Sequence, residues 1–254
     1  MIIVKSPREI VLMREAGRIT AGVFETLLPL IKPGVTTKHL DEEAERYIRS
    51  QGATPNFKGV GDYPASICAS VNDTLIHGIP SRNIVLKEGD IISIDVGACY
   101  KGYNGDACRT FAVGKISEEA QRLIDTTKES FYEAMKVIRP GAYLSDVSAT
   151  IQQYCESRGY SLPREYTGHG IGTRLHEDPS IPNYGIPGHG PRLKVGMCLA
   201  IEPMVNEGKK EVKTMPDGWT VKTVDGKLSC HYENTIVVTN EGYEILTVYK
   251  GEKI

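Results

Sequence analysis

The 254-residue sequence predicts an α+β fold built from two related αβ halves. Three observations predict it. Helix-like and strand-like patterns follow one another in the order helix, helix, strands, and that order occurs twice. Identical residues recur at a constant spacing between the two occurrences. No Pro/Ser-rich linker divides them, so a single domain over residues 1–254 is expected, with halves of about 1–115 and 116–254 and a functional site at their seam.

Residues 6–31 read as an amphipathic helix: Ser6 can cap it, Pro7 suits its first turn, and Glu9 completes a capping box. A second helix follows Pro33-Gly34, with Thr37 as its cap and Leu40, Ala44, Tyr47 and Ile48 on one stripe. Residues 60–115 carry the β-rich segments SICASV, DIISIDVGACY and ACRTFAVG between Gly and Asn turn signals. Ser117, followed by two glutamates, opens a third helix that Pro140-Gly141 ends. A fourth spans 144–158 before β segments resume.

The recurrence has an offset of 107. Phe24, Ile31, Pro33, Gly34, Tyr47, Ser50 and Gly52 return as Phe131, Ile138, Pro140, Gly141, Tyr154, Ser157 and Gly159. The same offset lays KEGDIISID on KVGMCLAIE and sets Asp95 opposite Glu202. So many matches on one register argue for an internal duplication of large units, not a solenoid of short repeats.

Hydrophobic residues at 40% and charged residues at 24% describe a folded chain. A net charge of −2 gives no reason to expect nucleic acid or an anionic membrane as partner. Charges from Lys5 to Arg18 interrupt any signal-peptide core, and no segment approaches the roughly 20 apolar residues of a membrane span, so a cytoplasmic protein is expected. The six cysteines contain no C-x-x-C pair, which argues against zinc ribbons and thioredoxin-like chemistry and for free, buried thiols.

Asp95 stands inside the strand-like DIISIDVGA, where an ionised carboxylate needs a partner. A turn through Lys101–Gly105 would return the chain as a hairpin and bring Asp106 to the same end. Two such carboxylates repel unless cations lie between them. Glu202 in LAIEPM and Glu233 in HYENTIVV are likewise acids in or beside apolar strands, and His169 lies in YTGHGIG. Four carboxylates and one imidazole suit two divalent ions such as Co²⁺, Mn²⁺, Fe²⁺ or Zn²⁺. Singly, Asp106 could cap a turn and His169 could be a loop residue; jointly, with Asp95 and Glu202 related by the repeat, the set points to a metal pair. The glycines around His169 fit neither a Walker A loop nor G-x-G-x-x-G.

In VNDTLIHGIP, GDIISIDVGACYKGYNGDACRTF, TGHGIGTRLHED, GMCLAIEPM and YENT, the chain resembles the bacterial type I methionine aminopeptidases of the M24 metallopeptidases over essentially its whole length. The resemblance implies the pita-bread fold, with a central antiparallel sheet. It makes Asp95, Asp106, His169, Glu202 and Glu233 the metal ligands, Asp106 and Glu233 bridging, Asp95 on one ion, His169 and Glu202 on the other. It turns His77 and His176 toward the substrate and lines a methionine pocket with Phe57, Tyr63, Cys68, Leu175 and Trp219. It also implies nascent-chain N-termini with a small second residue as substrates, and Glu202 as the group that shuttles the proton. A monomer is expected; transient ribosome association fits co-translational work, although no basic tail supports it.

The chain departs from the family pattern at Leu175, where an aromatic is usual, and at Cys230, His231 and Asn234 around Tyr232-Glu233. His231, two residues before Glu233, should share its face and could support the ligands. His77 could otherwise be a turn residue, and His176 a surface partner of Glu177. The nearest rival is a proline-specific peptidase of the same fold, for whose extra N-terminal domain the chain has no room. A non-catalytic binding module would be expected to lose ligands, and a mononuclear iron oxygenase would need two histidines.

Overall fold

A computed structural model describes residues 1–252. The first half opens with α1 (Pro7–Leu27) and α2 (Thr37–Ser50) and continues through β1 (Thr54–Pro55), β2 (Ile67–Val71), β3 (Thr74–Ile76), β4 (Ile91–Tyr100) and β5 (Tyr103–Ala112). The second opens with α3 (Glu118–Met135) and α4 (Leu144–Glu156). Its strands are β6 (Thr167–Gly170), β7 (Glu177–Pro182), β8 (Cys198–Ile201), β9 (Met204–Asn206), β10 (Val212–Thr214), β11 (Val221–Thr223), β12 (Ser229–His231), β13 (Glu233–Thr239) and β14 (Gly242–Ile245).

Local chemistry sets the helix ends. The Ser6–Glu9 capping box forms. α1 stops at Leu27, short of the expected residue 31, and a single 3-10 turn over Leu28–Leu30 follows. Pro29 can donate no hydrogen bond to continue the helix. The cap of α2 is Thr36, not Thr37: the Thr36 hydroxyl accepts from His39 N at 3.2 Å, while the Thr37 hydroxyl is taken by the backbone of Ser81. Ser117 caps α3 as expected, and α4 ends two residues before its expected limit.

Nine strands form one sheet along the path β1-β4-β5-β13-β8-β6-β7, with β2 on β4 and β14 on β13, and every pairing is antiparallel. The β4–β5 turn is tighter than expected: only Lys101 and Gly102 lie outside the strands, both at positive φ, the geometry of a two-residue hairpin.

The duplication is visible in the hydrogen bonds. Thr36 bridges Val85 and Tyr143 bridges Arg192; Gly34 donates to Leu86 and Gly141 to Leu193, each pair displaced by the same 107 residues. Each half has its own apolar core on the helix side of the sheet. Ile92, Ile94 and Val96 of β4 pack under α1 and α2, and Leu199, Ile201, Ile236 and Val238 pack under α3 and α4. Approach is close: a Cβ on Gly105 would sit 2.8 Å from the Gly17 backbone of α1. Alternation then sends the intervening residues of the same strands to the opposite face.

Candidate functional site

Period-two alternation collects the five expected ligands on that opposite face. Asp95 faces Cys108 across β4–β5, and Cys108 faces Glu233 across β5–β13, giving one row over three strands. Cys68 of β2 extends the row from the other side of Asp95. Asp106, opposite Gly97, is two residues from Cys108 and shares its face; the hairpin thus sets the aspartates diagonally in its body instead of at an end. Ala200 of β8 pairs with His169 of β6, and Glu202 lies two residues beyond it.

Distances show the convergence. His169 Nε2 lies 3.7 Å from both Asp106 Oδ2 and Glu202 Oε1. His169 Nδ1 bonds the Gly170 carbonyl at 2.9 Å, which makes it the protonated nitrogen of a neutral ring and leaves the Nε2 lone pair aimed at the acids. Asp106, His169 and Glu233 form one compact donor group, and Glu202, His231 and Glu233 a second.

The electrostatics are unbalanced. Burial raises the Asp95 carboxyl to about 7, and it raises Asp106, Glu202 and Glu233 well above the ordinary carboxylate range. The neighbouring acids push Asp106 and Glu233 further up. Burial lowers His169 and His231 to about 4, so both imidazoles are neutral. Asp95 Oδ1, Asp106 Oδ1, Glu233 Oε1 and His231 Nε2 are buried without a hydrogen-bond partner. Buried polar atoms are rarely left so. Divalent cations would satisfy all of them at once, and the oxygen and nitrogen donors suit such ions.

Above this acidic floor lies a cavity lined by all twelve sequence-predicted site residues, together with Val60. Phe57, Tyr63, Ala65 and Cys68 make an apolar wall that Leu175 and Trp219 complete. Tyr63 and Trp219 pack edge to face at 5.1 Å. His77 has φ of +57°, a left-handed conformation unusual for a residue with a side chain. Its ring packs against Trp219 and Tyr166 at 5.9 and 6.0 Å. His176 stands exposed at the rim with its ring 4.5 Å from that of His169. The surface pair His176–Glu177 does not form: Glu177 is buried and paired with Lys5.

Sequence reasoning kept His231 outside the ligand set, yet its Nε2 lies 3.4 Å from Glu202 Oε2 and 3.8 Å from Glu233 Oε2. Tyr166, against His77, was not singled out; its only signal is its place directly before TGHG.

A model of metallopeptidase family M24 matches residues 11–240. The chain belongs to this family. Methionine aminopeptidase 1 of Bacillus subtilis is 56% identical over 247 residues, 97% of this chain and 99% of that one. A methionine aminopeptidase structure from Thermotoga maritima superposes with a TM-score of 0.97 at 46% identity, covering 98% of this chain and all of the other. The Xaa-Pro dipeptidase of Bacillus anthracis shares the fold at a TM-score of 0.80 and 29% identity, and the match covers 63% of that longer chain. The M24 chain described here therefore stands in the methionine aminopeptidase branch, a metal-dependent aminopeptidase of the pita-bread fold. Among its described residues no helix is long and apolar enough to cross a membrane.

Proposed function

We propose that the chain removes the N-terminal methionine from polypeptides whose second residue is small, with Asp95, Asp106, His169, Glu202 and Glu233 holding two divalent ions. The observation that carries this reading is the set of partnerless buried oxygens of Asp95, Asp106 and Glu233 under an apolar cavity. When bound, such ions would polarise the scissile carbonyl and acidify a water.

The chain's own residues divide the remaining work. The wall of Phe57, Tyr63, Cys68 and Trp219 takes the methionine side chain and excludes water. The acid-rich floor draws the free α-amine and so selects chain ends. Glu202, on the cavity floor, accepts a proton from the attacking water on a carboxylate oxygen and returns it to the leaving amine. His77 hydrogen-bonds the substrate beside the scissile amide. His176, at the rim, steadies the oxygen on which charge develops.

The test is release of methionine by metal-loaded protein from Met-Ala-Ser, with none from Met-Lys-Ser or N-acetylated Met-Ala-Ser. Equal release by chelator-stripped protein would sink the metal assignment, and preferential cleavage before proline would move the chain to the proline-specific branch. Loading with each of Co²⁺, Mn²⁺, Fe²⁺ and Zn²⁺ under anaerobic conditions, with metal content measured beside rate, identifies the ion.

A further inference from the structure

His231 ends β12, and Glu233 opens β13 one residue later. The partner strands break at the same level: β8 ends at Ile201 and β9 starts at Met204, with Glu202 in the gap. Tyr232 N donates to Pro203 O across the two breaks. The Thr110 hydroxyl holds the His231 backbone on both sides, donating to its carbonyl at 2.8 Å and accepting from its N–H at 3.2 Å. The imidazole is thereby fixed between Glu202 and Glu233 at 2% exposure.

Its Nε2 has no hydrogen-bond partner. At 3.4 and 3.8 Å from the nearest oxygens of Glu202 and Glu233 it is beyond a normal N–H···O contact, whose reach is about 3.2 Å. Donor atoms that share one ion at about 2.1 Å are separated by about 3.0–3.4 Å in octahedral or tetrahedral geometry. The 3.4 Å spacing from His231 to Glu202 is that of co-ligands, and the 3.8 Å spacing to Glu233 exceeds it by a few tenths of an ångström. His169 has the same relation to Asp106 and Glu202, at 3.7 Å.

We propose that His231 is a sixth metal ligand, joining Asp95, Asp106, His169, Glu202 and Glu233 through the compact donor group it forms with Glu202 and Glu233. The inference rests on the metal-centre reading above and adds a donor to it. A second imidazole favours Zn²⁺, Co²⁺ and Fe²⁺ over Mn²⁺ and Mg²⁺.

X-ray absorption of the full chain loaded with Zn²⁺ reads the ligands directly and needs no substitution. The expected result is one imidazole per bound ion in the wild type and one per two ions in His231→Gln. Competition with a chromophoric chelator should show His231→Gln and His231→Asn losing about tenfold or more in Zn²⁺ affinity, with a smaller loss for Mn²⁺. Gln keeps a hydrogen-bond donor near Glu202, so an imidazole count that is the same in wild type and His231→Gln would overturn the inference while leaving the metal centre standing. Wild-type protein that takes up no ion would overturn both.

Discussion

The two faces of β5 differ in how they treat buried charge. Asp106 points into the cavity with Oδ1 unpartnered, beside three more acids; the nearest nitrogen base is the neutral His169, and among the described residues no Lys or Arg lies within ion-pair distance of it. Arg109 points the other way, toward the helices, and is as deeply buried. It pairs with Glu252, bonds Asn234 Oδ1 at 2.8 Å and the carbonyls of Cys108, Glu233 and Thr247, and lies 4.4 Å from the Tyr232 ring centre. Burial alone therefore does not mark a working residue. A buried charge with its hydrogen bonds met marks a structural strut, and a cluster of buried acids with unpartnered oxygens around a cavity marks a candidate ligand site.

The largest effect that separates the two faces should come from Glu202→Ala. If the acid face exists for chemistry, turnover on Met-Ala-Ser falls by about 10³-fold or more, near the upper range for losing a general base. Urea unfolding of the metal-free variant should show no loss of stability, because a carboxyl that is costly to bury has left. A variant with normal turnover, or one that unfolds much earlier, would erase the distinction between the faces.

Arg109→Met tests the opposite face. It strands Glu252 and the carbonyls behind the ligand row, and removing one partner of a buried pair costs about 3–5 kcal/mol. Chemical denaturation should register that loss. The fraction still folded should retain its metal, since Arg109 reaches Glu233 only through the backbone carbonyl.

The contrast also has a pH signature in metal-free protein. The folded-state pKa of Asp95 lies at about 7, above its unfolded value near 3.9, so the folded state binds the extra proton between those pH values. That contribution to stability is present below the unfolded pKa and is lost as pH rises through about 7. Glu177, where burial pushes the carboxyl up but hydrogen bonds from Lys5 and the Arg174 backbone and the Lys5 charge together bring it below its ordinary value, works in the other direction: its contribution is present above the unfolded pKa and is lost as pH falls through its folded pKa. Thermal unfolding of stripped protein should therefore shift upward on acidification from pH 8 before the ordinary acid loss sets in. Metal loading should flatten the upper limb, and a stripped protein most stable at pH 8 would contradict the unmet charge.

Much of this was legible because it follows from periodicity. Asp95, Glu202 and Glu233 interrupt or adjoin apolar strands, and the 107-residue offset relates the first two. The Arg109–Glu252 and Lys5–Glu177 pairs were not legible, because they join residues remote in sequence and no local pattern specifies them. The α1 terminus at Leu27 is hidden in the sequence despite Pro29, since the apolar stripe continues past it into the 3-10 turn. The weight of His231 depends on a break at Tyr232 matched by one at Glu202-Pro203, a tertiary coincidence that a one-strand alternation argument does not contain.

The smallest change lies where the two faces meet. Thr235 is fully buried, its hydroxyl accepts from Asp106 N at 2.9 Å and donates to Asp106 O at 2.8 Å, and its own N–H leads through Thr247 and Asn234 to Arg109. The hydrogen-bonded network behind the sheet thus holds the backbone of a proposed ligand. Thr235→Val keeps the shape and removes both bonds, leaving a buried N–H unpaired at a cost of about 1–2 kcal/mol. Because the change loosens Asp106 without removing a donor atom, metal affinity should also fall, by about tenfold, as for other groups that orient ligands. Equilibrium unfolding and chelator competition on the same variant measure the two together. A stability loss with unaltered metal affinity would mean that the paired face supports the fold but not the position of Asp106.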